Sequence, residues 1–154
     1  MDYFEGVVAD YLSADRAVFV NPQCRIQLEP CTRPKKGEHW YCDILAIDFR
    51  ESAVYLCEVT LSRTVSTLLR RLRDWNANWP EICAAVHRDS HIPEEWDVRP
   101  RVFVPKAQMG LVRRKVEQIV DSDGEPPAMP KPEVTSLESV TPWQYATSRR
   151  GGTL

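Results

Sequence analysis

Nowhere in the 154 residues does an apolar run approach the roughly 20 positions needed to cross a bilayer. The opening stretch, MDYFEGVVADYL, is acidic and amphipathic, whereas a secretory leader would be basic and then apolar. Both features lead to the expectation of a cytoplasmic protein with no membrane contact. There is also no CxxC pair. The five cysteines, Cys24, Cys31, Cys42, Cys57 and Cys83, are odd in number, scattered and mostly set in apolar runs. This argues against a disulfide or zinc framework and predicts reduced, buried thiols. Cys24, Cys31 and His39 are too poorly spaced for a metal site, and His39, His87 and His91 are not grouped. No internal repeat is visible. With a formal net charge of −2, the whole molecule is no generic polyanion binder, so any nucleic-acid surface must be local.

What is present is a hydrophobic fraction of 43% and five tryptophans, enough for one packed domain with a short tail. Tyr3, Phe4, Val7, Val8, Tyr11 and Leu12 recur at helical spacing behind Asp2, a candidate N-cap, which predicts a helix over 2–13. Residues 17–21 and 24–30 read as two short strands joined by a turn at Asn21-Pro22. Residues 31–38 read as a polar loop carrying Arg33, Lys35 and Lys36. Residues 40–49 and 53–59 are apolar at nearly every position, as in central strands covered on both faces. After them the period changes: Val65, Leu68, Leu69, Leu72, Trp75 and Trp79 form a helical stripe, and Pro80 restarts a helix over Ile82, Cys83 and Val86. A strand at 99–105 and a helix at 107–120 complete a domain over 1–120. From 121 to 154 the composition turns to Pro, Ser, Thr and Glu, an arm with one strand near 134–140 and an anchor at Trp143 and Tyr145. The expected class is therefore α/β, a mixed central β-sheet flanked by helices.

Within those apolar strands stand two carboxylates. Side chains alternate faces at period two, so Glu58 shares a face with Val54 and Leu56, and Asp43 with Leu45 and Ile47 on the neighbouring antiparallel strand. Both lie at the open end of the pair, away from the turn that carries Asp48 and Glu51. Facing carboxylates there repel unless something positive sits between them. A hard divalent cation, Mg²⁺ or Mn²⁺, is one answer, with the chemistry of phosphodiester hydrolysis. A structural salt bridge from Arg63 or Arg25 is the other.

Asp43, a turn, a strand ending in Glu58-Val59-Thr60 and then a long amphipathic helix resemble the PD-(D/E)xK nuclease superfamily, the restriction-endonuclease-like fold, and GEHWYCD at 37–43 resembles the approach to the motif in its Holliday-junction-resolvase-like branches. The resemblance covers 1–120 in element order. It implies Asp43 and Glu58 as ligands to Mg²⁺ or Mn²⁺, Val59 as a backbone-carbonyl ligand, and Glu5 of the first helix as a further acid. It also implies nucleic acid, DNA foremost, as substrate. The motif lysine, however, is Thr60 here; a hydroxyl can orient water but carries no charge. Arg63, or Lys35 and Lys36 of the upstream loop, are the expected substitutes. Lys35, Lys36, Arg70, Arg71 and Arg73 form the expected phosphate-binding surface, the three arginines lying off the Leu68, Leu69 and Leu72 stripe and so facing solvent. The alternative is a catalytically silent relative that binds nucleic acid or protein through the same fold. The arm at 121–154 is the expected contact for a homodimer or protein partner.

Overall fold

A computed structural model of the chain describes residues 2–28, 39–122 and 128–140. Helix α1 (Tyr3–Ser13) starts where the sequence places its cap. The Asp2 carboxylate accepts the Glu5 N–H at 2.8 Å, and the Glu5 carboxylate accepts the Asp2 N–H at 3.1 Å. Its buried side, Val8, Ala9 and Leu12, lies against one face of the sheet.

Strand β1 (Val18–Gln27) corrects the expectation of two short strands with a turn between them. It pairs antiparallel with β2 (His39–Asp48) in one register, from Val18 opposite Asp48 to Gln27 opposite His39. Pro22 is tolerated inside it because β1 is an edge strand, where a missing N–H need not interrupt a ladder. The neighbouring Gln23 has a positive φ of 53°, and the register is the same on either side of it. From β2 the chain turns through 49–52 into β3 (Ala53–Val59), its antiparallel partner. Asp48 holds that turn, accepting the N–H groups of Arg50 at 2.9 Å and Glu51 at 3.0 Å.

Helices α2 (Ser66–Ala77) and α3 (Trp79–Ser90) form the crossover to β4 (Asp97–Val104), which lies parallel to β3. Pro80 sits in the first turn of α3, where its missing N–H costs nothing. A 3-10 turn (Lys106–Gln108) leads into α4 (Met109–Ser122), and β5 (Glu133–Ser136) adds in parallel to β4. The segment read as an arm thus supplies the fifth strand and buries Met129, Leu137 and Val140. Trp143 and Tyr145 lie outside the described residues.

The chain is therefore an α/β protein with a mixed five-stranded sheet in the order β1-β2-β3-β4-β5. One face carries the main core, in which Leu68, Leu72, Trp75 and Ile82 of α2 and α3 and Val112 and Val116 of α4 pack on Leu45, Val54, Leu56 and Val102. The other carries α1 over Ile44, Ala46, Ala53, Cys57 and Phe103. Each fully buried aliphatic or aromatic side chain contributes on the order of 1.5–3 kcal/mol. Burial from both sides is why Ala53 to Cys57 are apolar at every position. Among the described residues no helix is long and apolar enough to cross a membrane. Cys24, Cys42, Cys57 and Cys83 are all free.

Candidate active site

The ladder between β2 and β3 runs from Asp48 opposite Ala53 to Ile44 opposite Cys57 and stops there. Two residues beyond Cys57, the Val59 N–H turns instead to the Asp43 carboxylate, donating to Oδ2 at 2.8 Å. A side chain thus takes over a donor that the ladder no longer uses, and this fixes Asp43 at the mouth of the strand pair. Past this point β3 stays attached to β4, since the Thr60 N–H donates to the Phe103 carbonyl at 3.0 Å.

Glu58 occupies the adjacent position on β3 and is 4% exposed. The expected shared face is present, and what it meets is helix α2. Arg71 donates from Nη1 to Glu58 Oε2 at 2.7 Å, and the same nitrogen is 3.7 Å from Asp43 Oδ1. The positive group required between the two acids is therefore an arginine. It is neither Arg63, which is exposed and does not line the site, nor Arg25. This corrects the expectation that Arg70, Arg71 and Arg73 all face solvent. Arg70 and Arg73 do, but Arg71 lies one position before Leu72 and three after Leu68, on the flank of the buried stripe. That offset was the signal in the sequence that could have singled it out.

Around these groups is an open pocket of about 190 Å³ lined by Glu5, Asp43, Glu58, Val59, Thr60, Thr67, Leu68 and Arg71. It gathers the sequence-predicted Glu5, Asp43, Glu58, Val59, Thr60 and Arg71 and adds Thr67 and Leu68. Lys35 and Lys36, with Arg33, lie outside the described residues. Thr60 is present at the wall, but its Oγ1 accepts the Ser62 N–H at 3.2 Å, which holds the loop leaving the strand. Glu5 has two duties, closing the α1 cap and facing Asp43.

The electrostatics follow from burial. Desolvation, and after it the neighbouring Asp43, push the Glu58 carboxyl well above its ordinary value, and Arg71 only partly opposes them. Glu5 is raised as well, by burial first and by Asp43. Burial alone would lower the Arg71 guanidinium, yet Glu58 and Asp43 leave it raised. Oε1 of Glu58 is buried with no hydrogen-bond partner. A proton on Glu58 would be shared with the neighbouring Asp43, the interaction that helps to raise it.

A buried carboxylate oxygen left without a partner is where a proton or a metal ion belongs. Among the described residues no group of three or more His, Cys, Asp or Glu side chains is placed to hold a metal ion. Two carboxylates on adjacent strands nonetheless fit Mg²⁺, which keeps several waters and is commonly held by one or two carboxylates and a substrate phosphate. All-oxygen donors of this kind would suit a hard cation better than zinc. No protein-family model matches the chain, and no curated protein is similar to it in sequence.

Proposed function

We propose that the chain is a metal-dependent phosphodiesterase acting on nucleic acid, DNA foremost, through a PD-(D/E)xK-like site. The observation that carries this reading is the buried Glu58, with its unpartnered Oε1, beside Asp43 in a pocket open to solvent. Asp43 and Glu58 would hold Mg²⁺ or Mn²⁺, with the Val59 carbonyl as a further donor. Bound there, a divalent cation acidifies water and neutralises phosphate charge. The rest falls to the chain. The Val59 N–H orients Asp43, and Glu5 adds negative charge from α1. Arg63, Arg70 and Arg73, all exposed, stand as cations for flanking phosphates. The order α1, three antiparallel strands, α2 and a parallel β4 accords with the superfamily reading without being specific to it, and the free cysteines among the described residues accord with a reducing, cytoplasmic setting.

A second reading is favoured by the Glu58–Arg71 ion pair. An arginine that neutralises the acids suits a relative that binds nucleic acid without cutting it. Incubating the purified chain with supercoiled, linear and single-stranded DNA and with RNA, in Mg²⁺ and in Mn²⁺, separates the two. Cleavage that requires the metal and vanishes in Asp43→Ala is the expected result. Cleavage that persists undiminished in that variant, or that needs no metal, overturns the mechanism.

A further inference from the structure

We propose that Arg71 is the residue that grips the phosphodiester at this site, supplying from α2 the positive charge that Thr60, just past the end of β3, cannot supply. The inference rests on the phosphodiesterase reading above and adds to it the group that handles the phosphate.

Three observations carry it. The first is how the guanidinium is held. Nη1 donates to Glu58 at 2.7 Å and stands 3.7 Å from Asp43, and among the described residues Nε and Nη2 have no hydrogen-bond partner. An arginine whose work was only to neutralise Glu58 would be expected to bury its head and use up its donors. This one stays 38% exposed and lines the pocket. The second is pre-organisation. Because the acids pin one end of the fork, much of the side-chain entropy is already lost, and a phosphate meets donors in a planar, bidentate arrangement. The third is the balance of charge. Glu5, Asp43 and Glu58 face a single arginine, so a phosphate entering the pocket meets net negative charge. A divalent cation and the free face of Arg71 together offset it, and neither does so alone. The other arginines near the motif, Arg63, Arg70 and Arg73, are exposed and do not line the pocket.

Since Thr60 and Arg71 border the same small volume, the charge should be transferable between them. The test is steady-state cleavage of a DNA oligonucleotide in Mg²⁺ by the full chain and by Arg71→Lys, Arg71→Met, Thr60→Lys and the Arg71→Met/Thr60→Lys pair. Arg71→Met should lower kcat by about 10²–10³-fold, the loss typical of removing one group that stabilises developing charge. Arg71→Lys should fall between, and adding Thr60→Lys to Arg71→Met should recover at least about tenfold. If Arg71→Met fails to fold, Arg71→Lys and Arg71→Gln, which keep a donor at Glu58, carry the comparison. A readout that needs no turnover runs beside it: binding of the same oligonucleotide to Asp43→Ala and to Asp43→Ala/Arg71→Met. Loss of Arg71 should weaken binding about tenfold and reduce the salt slope by about one. Wild-type cleavage rates in Arg71→Met alongside a dead Asp43→Ala overturn the role of Arg71 and leave the phosphodiesterase standing. Absence of cleavage by the unmodified chain overturns the phosphodiesterase. In that case unchanged affinity and salt slope on losing Arg71 overturn its role too, and the expected weakening supports it as a phosphate contact.

Discussion

The two ends of the β2–β3 pair are built from the same residue types and behave in opposite ways. At the turn end Asp15, Asp48 and Glu51 stand among Arg50, Arg99 and Tyr55, and each carboxylate is answered. Asp15 accepts from Arg50 at 2.9 Å and from the Ala17 N–H at 3.0 Å, Asp48 holds two turn N–H groups, and Glu51 accepts from Tyr55 and from Arg99 at 3.3 Å. Much of this network is open to water, where ion pairs are worth little. At the open end Asp43 and Glu58 share one arginine, and Glu58 keeps an oxygen that nothing satisfies. Pocket size does not tell the ends apart, for the turn-end cavity is the larger, about 260 Å³ against 190 Å³. What separates them is whether the buried polar groups are satisfied. A satisfied network explains itself as structure, whereas an unsatisfied one calls for a ligand or a proton.

Removing one arginine at each end should break the symmetry most visibly. Arg71→Ala leaves Glu58 buried without its partner and should cost about 1–3 kcal/mol near neutral pH, held down by the option of protonation. Arg50→Ala, at the exposed end, should leave the denaturant midpoint unmoved. Equal losses in urea titrations of the two variants would erase the distinction drawn here.

The pH dependence sharpens it next. Glu58 has its folded-state value raised above the unfolded one, chiefly by burial. Its contribution to stability is therefore full below the unfolded value of 4.5 and is lost as pH rises through the folded value. Glu5 is raised too and acts in the same direction. Without divalent cations, melting temperature should decline as pH rises above 4.5, and Glu58→Gln should flatten most of that decline by a few degrees. Cys57, pushed up to about 12 by burial, adds its own loss only once pH passes the ordinary thiol value of 9.0. A Glu58→Gln variant whose melting curve follows the parent across this range would show that the carboxyl is not held protonated.

The smallest expected effect lies at the turn. Asp48→Ala removes acceptors for two N–H groups that water can partly replace, and should cost about 0.5–1.5 kcal/mol with no change in the pH profile. A loss as large as that of Arg71→Ala would mean that the turn, too, depends on something beyond local hydrogen bonds.

Residue order alone determined a good deal. The capped first helix, the fully apolar β3, the restart at Pro80 and the shared face of Asp43 and Glu58 were legible because each depends on local rules: capping, period two, period 3.6 and the fixed φ of proline. The alternation of β2 and β3 also fixed that something positive must stand between the two acids. Which group it is was decided only in three dimensions. Arg71 is thirteen positions from Glu58 and one of several arginines on its helix. Only the packing angle of α2, set by Leu68, Leu72 and Trp75, turns the flank of the buried stripe toward the open end of β3. The continuity of β1 through Pro22 belongs to the same class. A turn signal is local, but whether a proline interrupts a ladder depends on the strand's place in the sheet, and edge position is a property of the assembled sheet alone.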